Sequence, residues 1–139
     1  MPMWKIYHPK NAFSEQDKRE IAEKITALYA TFLPKFYVNV FFRPTDAQNC
    51  YIGGEPTGDF VRITINHITK SMSPEERKPF LMAFNRILNP YVADKGYRWE
   101  LHVGETPIEL WTVQGLIPPA LDSDTGRKWK EENEASAYE

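Results

Sequence analysis

The sequence predicts an α/β (α+β) fold: two tandem β-α-β units that form one four-stranded sheet with two helices on one face. Three observations carry this. A strand-like alternation, a helical apolar stripe and a second strand follow one another, and the order then occurs again. The matching landmarks, Ser14 with Ser73 and Tyr37 with Tyr97, each lie about 60 residues apart. The chain has 139 residues, enough for one domain to bury a core without metals or disulfides.

Each element has its own reason. Residues 3–8 (Met-Trp-Lys-Ile-Tyr-His) alternate apolar and polar, as a half-buried strand does. Ser14 reads as a helix N-cap with Asp17 three residues on. Ile21, Ala22, Ile25, Leu28, Tyr29 and Phe32 recur at helical spacing, and Pro34 stops that helix. Phe36 to Phe42 is aromatic and β-branched and reads as the second strand. Residues 43–59 carry Pro44, Gly53, Gly54, Pro56 and Gly58 and read as a loop, with Tyr51-Ile52 as a short hairpin arm. Phe60 to Ile68 alternates again. Ser73-Pro74-Glu75-Glu76 is a capping box with proline at the first helical position. Phe80, Leu81, Phe84, Ile87, Leu88 and Tyr91 make the second stripe, with Pro79 expected to bend its early turns. Tyr97 to Val103 is the fourth strand.

Strands within a β-α-β unit run parallel, so both helices pack on one sheet face. The other face is then uncovered, and apolar positions on it are expected to pack against a second subunit. Residues 1–121 form the expected domain, its apolar, proline-rich end (107–121) suited to wrapping a neighbour. Residues 122–139 read as a frayed polar tail.

Composition excludes several classes. Seventeen basic and nineteen acidic residues leave a net charge of −2, against phosphate-driven nucleic-acid binding. No run of about 18 apolar residues exists to span a membrane, and no signal-peptide pattern opens the chain. The single cysteine, Cys50, cannot form an intrachain disulfide and fits a reducing, cytoplasmic setting. His8, His67 and His102 have no metal-ligand spacing, and no Gly-rich nucleotide motif or nucleophile elbow occurs, so neither metal nor cofactor is expected.

One position carries chemistry by placement. Pro2 follows the initiator methionine, and loss of Met1 turns its nitrogen into a secondary amine. An ordinary α-amine has a pKa of about 7.7–8.0. Burial and nearby cations lower it, and a free-base amine takes protons from carbon or oxygen acids. The plainer reading is that Pro2 only permits methionine cleavage. A strand that begins at residue 3 favours the chemical reading, because it pins the terminus in a sheet.

Pro2 opening a strand, the doubled β-α-β unit and the length together resemble the tautomerase superfamily, most closely its group around cis-3-chloroacrylic acid dehalogenase. Gln48-Asn49-Cys50-Tyr51-Ile52-Gly53-Gly54 resembles that group's Gly-Asn-x-φ-φ-Gly-Gly turn. Val103-Gly104-Glu105-Thr106-Pro107 resembles its φ-Gly-Glu-x-Pro stretch, and Gly115-Leu116-Ile117-Pro118-Pro119 is similar to the wording of the group's fungal branch. The likeness covers roughly residues 2–118. It implies a cofactor-independent homotrimer whose amino-terminal proline, here Pro2, is the general base. It further implies a helix histidine position occupied by Tyr29 and a strand tyrosine position occupied by His102. One of two arginine positions falls near Lys70 and the other near Ser73. The water-activating glutamate position falls on Val113 or Gln114, neither of which is a base. Catalytic roles are thus expected for Pro2, Tyr29 and His102, and substrate-binding roles for Lys70, Arg62, Trp111 and Gln114.

His67 reads either as a carboxylate ligand or as a surface or capping residue. Glu105 reads as an orienting acid or a plain loop residue, and Trp111 as pocket lining or interface packing. The expected activity is proton transfer on a small 2-keto or unsaturated carboxylic acid, with dehalogenation weak or absent. The alternative is a ferredoxin-like small-ligand-binding or subunit-pairing module, which needs no free Pro2.

Overall fold

Local rules start each helix where the caps stand. Ser14 accepts from the Asp17 N–H (3.0 Å) while the Asp17 carboxylate accepts from the Ser14 N–H (3.1 Å), which satisfies two donors at the start of α1 (Glu15–Tyr29). Glu76 accepts from the Ser73 N–H (2.9 Å) at the start of α2 (Pro74–Leu88), and this helix runs on through Pro79. The computed structural model describes residues 1–69 and 72–139.

The main sheet has four strands in the order β2-β1-β5-β6: β1 (Pro2–Pro9), β2 (Asn39–Thr45), β5 (Phe60–Thr69) and β6 (Arg98–Pro107). β1 pairs parallel with β2, β5 pairs parallel with β6, and the two units meet antiparallel between β1 and β5. Both predicted β-α-β units are therefore present. A two-stranded hairpin, β3 (Tyr51–Ile52) with β4 (Glu55–Pro56), fills the middle. Gly53 and Gly54 take φ of +59° and +87°, the pair of positive values that its two-residue turn demands. The second strand begins later than its aromatic run suggested. Lys35–Tyr37 winds into a 3-10 turn after Pro34, and pairing starts at Asn39.

Sheet parity sorts the side chains. Trp4, Ile6, Val61, Ile63 and Ile65 face the helices and are fully buried with Ile21, Ile25, Phe84 and Leu88. Trp4 meets Phe84 edge-on, with ring centroids 5.0 Å apart. The opposite face carries Lys5, Arg62, Thr64, Asn66, Glu100 and His102, with Tyr7 and Phe41 as its exposed aromatics. The uncovered face is thus more polar than expected, because alternation gave most apolar residues to the helix side.

The expected polar tail is a correction. Residues Asp124–Glu132 form a third helix, α3, capped by Ser123, and Trp129 is fully buried in the same core. Trp129 packs 6.1 Å from both Phe36 and Tyr138, and its indole N–H donates to the Ser136 carbonyl (3.0 Å). Gly126 lets the helix touch the preceding chain, since a Cβ there would lie 2.1 Å from the Ala120 carbonyl oxygen. The segment has few apolar residues, so its composition resembled a solvated tail, and one tryptophan does the anchoring. No helix among the described residues is long and apolar enough to cross a membrane.

Trp129→Ala is expected to cost about 3–5 kcal/mol, the usual range for removing a fully buried large aromatic. Truncation after residue 121 should destabilise at least as much. Urea unfolding measures both, and an unchanged midpoint would make this segment a detachable appendage.

Candidate functional site

The start of β1 is held on both sides, so the chain terminus has a fixed place. Pro2 is buried and lies opposite His67 in the antiparallel β1–β5 pairing. Met1 continues that ladder: its carbonyl accepts from the Ile68 N–H (2.9 Å) and its ammonium donates to the Ile68 carbonyl. Burial lowers the pKa of this terminal amine from 8.0 to about 5, because the charged form loses water.

Beside it opens a cavity of about 350 Å³. Pro2, Tyr29, His67, Phe32, Phe80 and Trp111 are among the residues that line it, with the Phe32 ring 6.2 Å from that of Tyr29 and the Phe80 ring 6.2 Å from that of His67. α1 supplies Tyr29 from its last turn, and β5 supplies His67. Their side chains meet with the Tyr29 hydroxyl 2.6 Å from His67 Nε2. The Trp4 indole N–H donates to the same hydroxyl from below (3.3 Å). Burial holds the Tyr29 hydroxyl well above its ordinary pKa. Burial, reinforced by the terminal amine's charge and opposed by Glu105, lowers His67 to about 4. Both are therefore neutral near pH 7. Tyr37, whose hydroxyl burial pushes up to about 12, also lines the cavity, and Trp111 packs edge-on against it at 4.9 Å.

Of the expected site residues, Pro2, Tyr29 and Trp111 share this cavity. Arg62 and His102 do not join them. His102 pairs with Thr64, which is odd in register to His67, so the pleat sends its side chain to the opposite face. There Arg62 lies 2.7 Å from His102 Nδ1 and forms a salt bridge with Glu100. Within one chain these two cannot reach Pro2. Gln114 is exposed at the tip of a turn, with φ of +51° beside Gly115 at +78°, and lies outside the cavity lining. Its neighbour Val113 closes that turn through paired hydrogen bonds with Leu116 (2.8 Å each). Lys70 lies outside the described residues.

His67 is what sequence reading undervalued. The reading as a surface cap ignored parity: Val61, Ile63 and Ile65 alternate inward, and the next inward position is 67. Glu105 stands opposite His67 in the parallel β5–β6 register, which places it at the same sheet end. Among the described residues no group of three or more His, Cys, Asp or Glu side chains converges as metal ligands would.

A family model described as "Putative oxalocrotonate tautomerase enzyme" matches residues 1–134. The crystal structure of native RhCC from Rhodococcus jostii RHA1 is 39% identical with a TM-score of 0.93, over 98% of this chain and 99% of that one. A probable enzyme from the thermophilic fungus Aspergillus fumigatus is also 39% identical with a TM-score of 0.93, over 99% and 98%. At 16% identity, where likeness shows the fold alone, N1 of the cis-3-chloroacrylic acid dehalogenase family has a TM-score of 0.73 over 94% and 97%. The wild-type fused 4-OT asymmetric trimer F6, also 16% identical, reaches 0.67 over 83% and 94%. No curated protein matches the chain at a significant level.

His67 generates a stability prediction. Between about pH 6.5 and about 4 the unfolded chain binds a proton that folded His67 does not. Folding stability therefore falls as pH drops through that window. His67→Gln keeps a hydrogen-bonding partner for Tyr29 and cannot titrate, so it should flatten the fall. Urea unfolding of both proteins at pH 7 and pH 4.5 measures this, and an identical pH dependence would assign the effect to another buried group such as His8.

Proposed function

The chain belongs to the oxalocrotonate tautomerase-type family whose model spans residues 1–134, and from that premise we propose that it is a cofactor-independent tautomerase with Pro2 as general base. The substrate class is a 2-keto or unsaturated carboxylic acid. The observation that carries the reading is the place of the terminus: β1 brings the chain's first nitrogen to an apolar cavity that depresses an amine to about 5. When Met1 is removed, the Pro2 nitrogen, one residue further into β1 and opposite His67, becomes a secondary amine in the same apolar surroundings, which favour its free base.

The proton then moves in two steps. The Pro2 lone pair takes the proton of an enol O–H, leaving an enolate, and the resulting ammonium returns it to the substrate's C3, which gives the keto form. Tyr29 stabilises the enolate oxygen. Its own oxygen accepts from Trp4 and, when His67 carries its proton on Nε2, from His67 as well, so the hydroxyl proton is directed at the substrate. Trp4 and His67 act as positioning residues. Loss of Met1 also frees the Ile68 N–H, a backbone donor beside the amine, to hold a substrate oxygen. Lys70, just beyond β5, supplies a cation for the carboxylate.

Addition of water to a haloacrylate needs a carboxylate base, and the corresponding positions are Val113 and Gln114. Halide release is therefore weak or absent in this proposal. The uncovered sheet face supports assembly, and the fused 4-OT chains of the same fold form a trimer. We extend that to a homotrimer, in which Arg62 and His102 are interface residues or serve a neighbouring subunit's site.

Four outcomes are expected. Intact mass shows loss of Met1, and Pro2→Ala lowers enol–keto turnover by at least about 10²-fold while the fold persists. Falling pH protonates the base, so kcat/KM declines on the acid side with a midpoint well below the ordinary amine range of about 7.7–8.0. Unchanged turnover in Pro2→Ala, or retained Met1 with full activity, sinks the mechanism. Sedimentation at micromolar concentration should give a trimer, and a stable monomer would refute the assembly.

A further inference from the structure

Three tyrosines sit in the core: Tyr29 and Tyr37, each 1% exposed, and Tyr91, 6% exposed. A buried phenol ordinarily has a hydrogen-bond partner, because leaving its O–H dry forfeits the water it gave up. Tyr29 has Trp4 and His67, and Tyr91 has Lys24 and Glu20 at 2.7 and 2.8 Å. The Tyr37 hydroxyl has no partner among the described residues. Nor is it sealed in the core, since the one buried and partnerless side-chain nitrogen or oxygen among those residues is His8 Nε2. It therefore opens on the cavity beside Pro2, which Tyr37 lines.

The local fold holds this ring still. Pro34 sets φ at −57°, and the chain winds through Lys35–Tyr37 with the Tyr37 N–H donating to the Pro34 carbonyl (3.1 Å). Phe36 and Trp111 meet the ring edge-on, each 4.9 Å away. A phenol packed this way has little rotamer freedom left to lose when a ligand binds. The nearby Tyr138 hydroxyl is committed to the Ile117 carbonyl (2.8 Å).

We infer that Tyr37 is a substrate-binding residue of this site, donating its hydroxyl hydrogen to a carboxylate oxygen of the bound acid. This rests on the tautomerase reading and adds to it a residue that the sequence marked only as the start of a strand. A carboxylate has lone pairs enough to take this bond beside those from other donors. Burial keeps the Tyr37 hydroxyl protonated well above neutral pH, so it remains a donor. Tyr29 serves the oxygen whose charge changes during proton transfer, whereas the carboxylate is charged throughout. The Tyr37 bond is then as strong before the transition state as in it, and it lowers KM without raising kcat.

Tyr37→Phe is compared with the methionine-processed parent by calorimetry with the unreactive acid 3-phenylpropanoate and by turnover of phenylenolpyruvate. A hydrogen bond to a charged acceptor is commonly worth about tenfold or more, so affinity for 3-phenylpropanoate should fall at least that far. KM should rise similarly, with kcat nearly unchanged. The urea midpoint should hold or rise, since no bond to the protein is lost. In protein labelled at tyrosine Cζ, the NMR signal that Tyr37→Phe lacks should move when 3-phenylpropanoate binds. Unchanged affinity and KM, a fall in kcat alone, or a lower urea midpoint overturns the proposal, and so does a parent protein that does not bind the acid. Weaker binding by Tyr37→Phe without turnover of phenylenolpyruvate by either protein keeps Tyr37 as the carboxylate donor and overturns the catalytic reading alone.

Discussion

Everything at this site depends on β1 being an inner strand. A chain terminus ordinarily frays, because ordering it costs backbone entropy with few contacts in return. Here the first strand is hydrogen-bonded on one side to β2 and on the other to β5, and Trp4 and Ile6 from it are fully buried. The two ladders and two core side chains offset that entropy within the first turn of sheet. The terminus is consequently tied into the sheet, with Pro2 buried and Met1 hydrogen-bonded to Ile68. That placement brings a backbone nitrogen, rather than a side chain alone, to the lining of a cavity.

The pleat then divides the molecule's chemistry. Inward positions of β1 and β5 are apolar apart from His8 at one end and His67 at the other, where parity delivers Pro2 and His67 side by side. At the same end the last turn of α1 brings Tyr29 down onto His67. Burial favours the neutral form of three groups there: it lowers the Met1 amine and His67 and raises Tyr29. All three are neutral near pH 7 and act as hydrogen-bonding and proton-accepting groups. The outward face follows the opposite logic. Arg62, His102 and Glu100 form a hydrogen-bonded cluster that stays hydrated in the single chain.

The C-terminal segment completes the cavity from a distance. Trp129 is sunk into the core, and Gly126 permits contact with the Ala120 carbonyl, so α3 holds the stretch that contributes Pro118 and Leu121 to the wall. The Tyr138 hydroxyl donates to the Ile117 carbonyl (2.8 Å) and ties the end of the chain to the same stretch. Fold stability and cavity shape are thereby coupled through one tryptophan.

The sequence by itself determined the doubled β-α-β order, both capped helices, the hairpin glycines and the position of Pro2 at the head of a strand. Those features are local: alternation, caps and turn geometry are written in neighbouring residues. It also contained the parity that buries His67, although that residue's polarity suggested solvent. Only the tertiary structure decided which side chains meet. The Tyr29–His67 contact joins residues 38 apart in the chain. The register of β6 against β5 sent His102 to the far face beside Arg62, and a single buried tryptophan turned an apparently solvated tail into a third helix of the core. These outcomes depend on register and long-range packing, which no local pattern encodes: a shift of one residue between β5 and β6 would bring His102 to the helix side and remove Glu105 from it.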